Sequence, residues 1–139
     1  MDTRLTTPTT ALRTALGLTA TLAGLDKFFN LLADWPSYIN PIALQLLPFS
    51  AATFMAIVGV IEFAVGLTIL FVRPVLGAYV ASAWLLLIAV NLVLGGHFDI
   101  AVRDVVMSVS AFTLARLIEV SEESAVAATF ETQPRRTMA

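Results

Sequence analysis

Apolar residues fall into four blocks, at residues 11–32, 51–72, 75–94 and 98–118, divided by shorter polar breaks. A run of about 20 predominantly apolar residues has the length of a helix that crosses a bilayer. The pattern therefore predicts an all-α fold, an integral membrane four-helix bundle occupying residues 11–119 as a single domain. Residues 1–10 read as a polar N-terminal segment, where Pro8 and the threonines after it suit a helix start. No small-residue cleavage site follows the first block, so it is read as a retained span and not as a signal peptide. Residues 120–139, rich in Ser, Glu, Thr and Ala, are expected to prolong the last helix briefly and then form a cytoplasmic tail.

The breaks have their own chemistry. Residues 34–49 hold Trp35, Pro36, Tyr38, Asn40, Pro41 and Pro48. The aromatic side chains favour the headgroup level, and the prolines break any long helix. A short helix over 41–47 is expected there, lying over whatever cavity the bundle leaves beneath. Arg73 and Pro74 form a tight turn that sends the third block back beside the second, and Gly95 with Gly96 closes the third.

Polar residues inside the blocks are the candidates for function. Glu62 lies halfway along the second block, with Gly59 and Gly66 on the same helical face. An ionisable group at mid-bilayer costs about 2.5 to 3.5 kcal/mol on insertion scales. In the first block Arg13, Gly17, Ala20, Gly24 and Lys27 form a stripe of small residues with a cation at each end, as expected for close helix packing flanked by snorkelling side chains. Asp26, Lys27 and Asn30 suggest a buried polar corner. In the third block Tyr79 suits an interfacial belt, the Trp84 indole needs an acceptor, and Asn91 suits a hydrogen bond between helices. In the fourth, Asp99 and Arg103 are spaced for an ion pair, and Asp104, Ser108, Ala111 and Ala115 form a second stripe. Arg116 and Glu119 mark its exit.

Counting depth at about 1.5 Å per residue puts Lys27, Asn91, Arg103 and Asp104 in a layer roughly 6 to 9 Å below the outer surface, and Glu62 about 16 Å down. Thr21, Trp84 and Ser108 lie at the depth of Glu62. The count expects a protonated Glu62 bonded to Trp84 or Ser108, since burial disfavours the charged form. The alternatives are an ionised carboxylate that reaches the cation layer through water or a ligand, and a direct salt bridge if Lys27 or Arg103 bends inward.

Composition places the 139-residue chain, 58% apolar and 13% charged, among membrane proteins. A net charge of -2 without a basic patch argues against nucleic acid as a partner. The absence of cysteine excludes thiol chemistry, iron–sulfur clusters and cysteine-bound zinc. The one histidine, His97, excludes a haem held by two histidines of this chain and reads as a polar residue in a short turn. No nucleophile is set beside a base and no redox-cofactor motif is present, so no catalytic residue and no metal ligand is assigned. An enzyme role would have to be shared with a partner chain. Arg4, Arg13, Arg73, Arg116, Arg135 and Arg136 fall on the side of the termini, and Lys27 and Arg103 on the other. The positive-inside rule then puts both termini in the cytoplasm.

The pieces Gly24-Leu25-Asp26-Lys27-Phe28-Phe29-Asn30, the G-x-x-E-x-x-x-G run from Gly59 to Gly66, the stretch from Trp84 to Asn91, and Asp99-Ile100-Ala101-Val102-Arg103-Asp104 occur in this order. Together they resemble the DoxX and DoxX-like family of small four-helix membrane proteins, over roughly residues 13–117. The family takes its name from a membrane subunit associated with thiosulfate:quinone oxidoreductase, and other members resemble accessory partners of redox, oxidative-stress or receptor assemblies. Asp26, Lys27, Glu62, Arg103 and Asp104 match the charged positions of the family pattern. The resemblance implies a non-catalytic accessory or structural subunit of a larger, redox-linked membrane complex in a bacterial-type cytoplasmic membrane, with other membrane subunits, the bilayer or a second copy as partners. The alternative is a subunit that binds quinone or another small molecule through an outward-facing cluster of Asp26, Lys27, Glu62, Trp84, Asn91, Arg103 and Asp104. Proton-coupled transport is the weakest reading, because four short helices make alternating access hard to build.

Overall fold

A computed structural model describes residues 3–132, and their side chains from residue 5 to residue 130. The side chain of Arg4 and residues 133–139, with Arg135 and Arg136, lie outside the described residues. Within them the chain is all-α. Helix α1 spans Thr3–Asp26, a 3₁₀ turn Trp35–Tyr38 and a short α2, Pro41–Leu46, follow, and α3 runs over Ala51–Leu67 into a π-helical turn, Thr68–Val72. Helices α4, Pro74–Leu94, and α5, Phe98–Thr132, complete the fold.

The four long helices form a closed ring. Each packs on its neighbour in the chain, α4 against α5 most extensively, and α5 returns to α1. Two of them, Ala51–Val72 with its π turn and Pro74–Leu94, are long and apolar enough to cross a membrane.

Local signals explain most of the boundaries. The Asn40 side chain accepts the Ala43 N–H at 2.9 Å to cap α2, and Ser50 accepts the Thr53 N–H at 3.2 Å to cap α3. Pro74 opens α4 at a position where its missing N–H costs nothing, and Gly96, with φ of +80°, takes the left-handed conformation of the α4–α5 turn. The first helix departs from the expected span at both ends, since the chain is already helical at Thr3, the first described residue, and the helix stops at Asp26, short of residue 32. Asp26 itself stops it. Its carboxylate accepts the N–H groups of Leu31 and Leu32 at 3.0 and 2.9 Å, and Asn30 turns the chain with φ of +53°. The last helix departs in the other direction. It continues to Thr132, so its 35 residues extend for about 52 Å, and the described part of the expected tail is helix.

Small residues set how closely the helices approach. On α1 and α3 the contact is backbone on backbone. A Cβ added at Gly59 would lie 2.6 Å from the Gly24 carbonyl oxygen, and one added at Gly24 would lie 2.5 Å from the Phe63 nitrogen. On α4 and α5 the seam runs through Ala78, Ala81, Ala111 and Ala115, all buried, with Ile69 and Leu114 as the largest fully buried side chains. The Ser108 hydroxyl crosses this seam to the Ser82 carbonyl at 2.7 Å. The stripes on α1, α3 and α5 are the faces expected from spacing. Ser82, which meets Ser108 from α4, stands among apolar residues that give no signal of this role.

Gly59→Ala is expected to lower unfolding free energy by about 1 to 3 kcal/mol, the usual cost of overpacking a tight contact. Chemical denaturation in detergent micelles measures it, and an unchanged midpoint would show that the α1 and α3 backbones do not touch.

Candidate functional site

The end of the ring away from the termini holds a polar cluster built from α1, α3 and the segment between them. Its centre is an ion pair. The Lys27 ammonium lies 2.5 Å from Oε2 of Glu62, and both residues are buried. This corrects the depth count, which directed Glu62 to Trp84 or Ser108. The count treated helix ends as level and side chains as points. Lys27 follows directly on the end of α1, and its Cβ lies 3.1 Å from where a Gly59 Cβ would stand, so its stem runs down the groove that Gly59 leaves open. Gly59 and Glu62 are separated by three residues, about 4.5 Å along the helix, which a four-carbon stem covers. The carboxylate therefore faces an ammonium, without an intervening water or ligand.

The other face of the ammonium is covered by Trp35, whose ring centroid is 3.8 Å from Nζ. A cation over an indole face is attracted by the ring quadrupole, by about 2 kcal/mol or more when desolvated. The indole is held in place by Asp26, which accepts its Nε1–H at 2.8 Å. Asp26 thus ends α1, folds the following turn and positions the ring that covers its neighbour. Of the expected polar corner, Asp26 and Lys27 are buried while Asn30 is exposed and serves the turn.

Asn91 anchors the rest of the covering segment to α4. Its Nδ2 donates to the Tyr38 carbonyl at 2.8 Å, and its Oδ1 accepts from the Asn40 side chain at 2.8 Å and the Asn40 N–H at 3.1 Å. The expected bond from Asn91 is present, but it joins a helix to the covering segment and not to another helix. His97 packs edge-on against Tyr38, with ring centroids 5.1 Å apart.

The remaining candidates make no hydrogen bond to this network, although Asp104 lies within electrostatic range of Glu62 and Lys27. Asp104 is buried on α5, with the exposed Arg103 as a distant partner at 3.8 Å. The spacing of Asp99 and Arg103 predicts an ion pair, but the pair that Arg103 makes is with Asp104. Trp84 has its Nε1 buried with no acceptor among the described residues. Ser108 bonds across to Ser82.

At the opposite end Arg13 is more than a snorkelling cation. Its Nε donates to the Ile69 carbonyl at 2.9 Å and its Nη2 to the Leu70 carbonyl, so it caps the carbonyl groups of the π turn. Tyr79, expected as a belt residue, donates its hydroxyl to Glu119 at 2.9 Å, and Arg116 joins the same carboxylate oxygen at 2.5 Å.

Among the described residues, no group of three or more His, Cys, Asp or Glu is arranged to hold a metal ion. No protein-family model, no curated protein and no solved structure matches the chain.

Lys27→Met is expected to cost about 3 to 5 kcal/mol, because it leaves Glu62 buried without a counter-charge, while Lys27→Met with Glu62→Met recovers most of the loss. A double-mutant cycle read by denaturation in micelles measures the coupling. Additive losses would show that the two groups do not form a buried pair.

Proposed function

We propose that this chain is a DoxX-like integral membrane protein with four spanning helices, acting as a non-catalytic accessory or structural subunit of a larger, redox-linked complex in a bacterial-type cytoplasmic membrane. One observation carries the reading. Lys27, Glu62, Asp26 and Trp35 form one bonded group and Asn91, Asn40 and the Tyr38 carbonyl a second, and both are tied to the segment that covers this end of the ring, so together they fasten the bundle. Groups poised for a substrate would instead present unmet donors or acceptors to a cavity.

The membrane setting is supported by the two strongly apolar helices and by the outward display of large apolar side chains. Leu22 on α1, Val60 on α3, Leu87 on α4 and Val106 on α5 are each 56% exposed or more. For such surfaces lipid or another membrane protein is the natural cover. Arg13, Arg73 and Arg116 on the side of the termini favour termini in the cytoplasm. Of the opposing basic residues, Lys27 is neutralised inside the bundle.

The competing reading is a subunit that binds quinone or another small molecule. It draws support from two groups left over by the cluster, the buried Asp104 with its distant cation and the unpartnered Trp84 indole.

Extraction in mild detergent separates the two. The accessory reading expects a second polypeptide in constant ratio to this chain. A lone chain that carries quinone, and loses it on Asp104→Asn while keeping its helicity, would overturn that reading in favour of the ligand-binding one.

Because the chain has no cysteine, sidedness can be read with single introduced thiols. Ser37→Cys is expected to react with an impermeant maleimide on intact cells and Ser124→Cys only after lysis. The reverse pattern would invert the orientation.

A further inference from the structure

Three side chains at the end of the ring nearer the termini have unmet chemistry. Arg13 is partly buried, and its two bonds to Ile69 and Leu70 use two of the five N–H groups of a guanidinium. No carboxylate among the described residues lies within ion-pair distance of it. Thr9 is 4% exposed and its hydroxyl has no partner among the described residues. By contrast, the hydroxyls of Thr21, Thr68, Ser110, Thr113, Ser121 and Ser124 all bond to the carbonyl four residues back. Glu122 is exposed on α5 and belongs to none of the ion pairs among the described residues.

All three line one groove of about 310 Å³ between the first half of α1, the start of α4 and α5. Thr10 adds a second hydroxyl, and Val75 and Ile118 supply apolar lining. An unpaired cation and a buried hydroxyl thus stand on α1, with an unpaired carboxylate across from them on α5. A simple anion would meet Arg13 and leave Glu122 alone. An acyl chain by itself would satisfy neither.

We propose that this groove binds the headgroup of a zwitterionic aminophospholipid. The phosphodiester is held by Arg13 with the hydroxyls of Thr9 and Thr10, the primary ammonium faces Glu122, and the acyl chains leave along Val75 and Ile118. The inference rests on the membrane setting proposed above, which puts the Arg73–Pro74 turn, and the groove beside it, at headgroup level. It is independent of the accessory role.

The test uses the full chain in detergent micelles doped with phosphatidylethanolamine or phosphatidylglycerol, with lipid adducts counted by native mass spectrometry. Wild type is expected to retain phosphatidylethanolamine in preference. Glu122→Gln, at an exposed position whose change leaves the packing intact, should lower that preference about two- to fivefold, the worth of an exposed ion pair. Thr9→Val should weaken retention of both lipids alike, with helicity by circular dichroism confirming the fold. Equal retention of the two lipids by wild type, or a preference unchanged in Glu122→Gln, would overturn the proposal. Water-soluble glycerophosphoethanolamine binding as well as the intact lipid would also overturn it, by assigning the groove to a soluble zwitterion. Absence of a partner polypeptide bears on the accessory role and leaves these adducts unchanged. A chain that stays in solution without detergent removes the membrane setting and the proposal with it.

Discussion

The half of the molecule away from the termini depends on the Lys27–Glu62 pair. Two charges removed from water cost several kcal/mol each, and their attraction offsets this only with good geometry and further contacts. Those contacts come from three directions. Gly59 lets the lysine stem lie against α3, the indole of Trp35 covers the ammonium, and Asp26 holds the indole. Sliding α1 along α3 by one turn would separate the charges and bring side chains into the places where Gly24 and Gly59 let the backbones touch, so a single register satisfies both.

The ring is assembled in two different ways. Backbone contact joins α1 to α3, with Thr21 packed against Gly66 as a further close approach. Alanine packing joins α4 to α5, fixed laterally by the serine pair and, toward the termini, by the Tyr79–Glu119–Arg116 network. Both seams are lined mainly by small residues, with Ile69 and Leu114 as the large exceptions, and most of the long apolar side chains face outward. That distribution suits a protein whose exterior is apolar and whose polar groups are turned inward.

Much of this was legible in the residues. The block pattern located α4 and the starts of α3 and α5 almost to the residue, because Pro48 ahead of α3, Arg73 and Pro74 ahead of α4, and Gly95 and Gly96 ahead of α5 are strong local breaks. The stripes of small residues on α1, α3 and α5 named the packing faces. What escaped was the end of α1. Phe28, Phe29, Leu31 and Leu32 carry the apolar pattern past Asp26 without interruption, while the bonds that stop the helix run from the Asp26 side chain to backbone groups further along. With the helix counted on to residue 32, Lys27 lies about 8 to 9 Å from the depth of Glu62, which makes a direct pair a second choice that needs an inward-bent side chain. The π turn was equally silent, since Thr68 to Val72 looks like any apolar helix. Arg13 therefore read as a side chain seeking water, when its donors are turned to carbonyl groups of α3. The acceptor that Trp84 calls for is absent among the described residues.

The bonds from Arg13 to the π turn also impose an order in time. The arginine is 56 residues ahead of Ile69 in the chain, so it leaves the ribosome well before the carbonyl groups that it serves exist. Until α3 has emerged and lies against α1, the wide final turn of α3 has no donor for those carbonyls, and the Arg73–Pro74 corner that leads into α4 lacks its finished support. The hairpin of the two most apolar helices is thus completed from outside itself. A chain begun after Arg13 would carry both helices of the hairpin and still lack the donor that closes its turn.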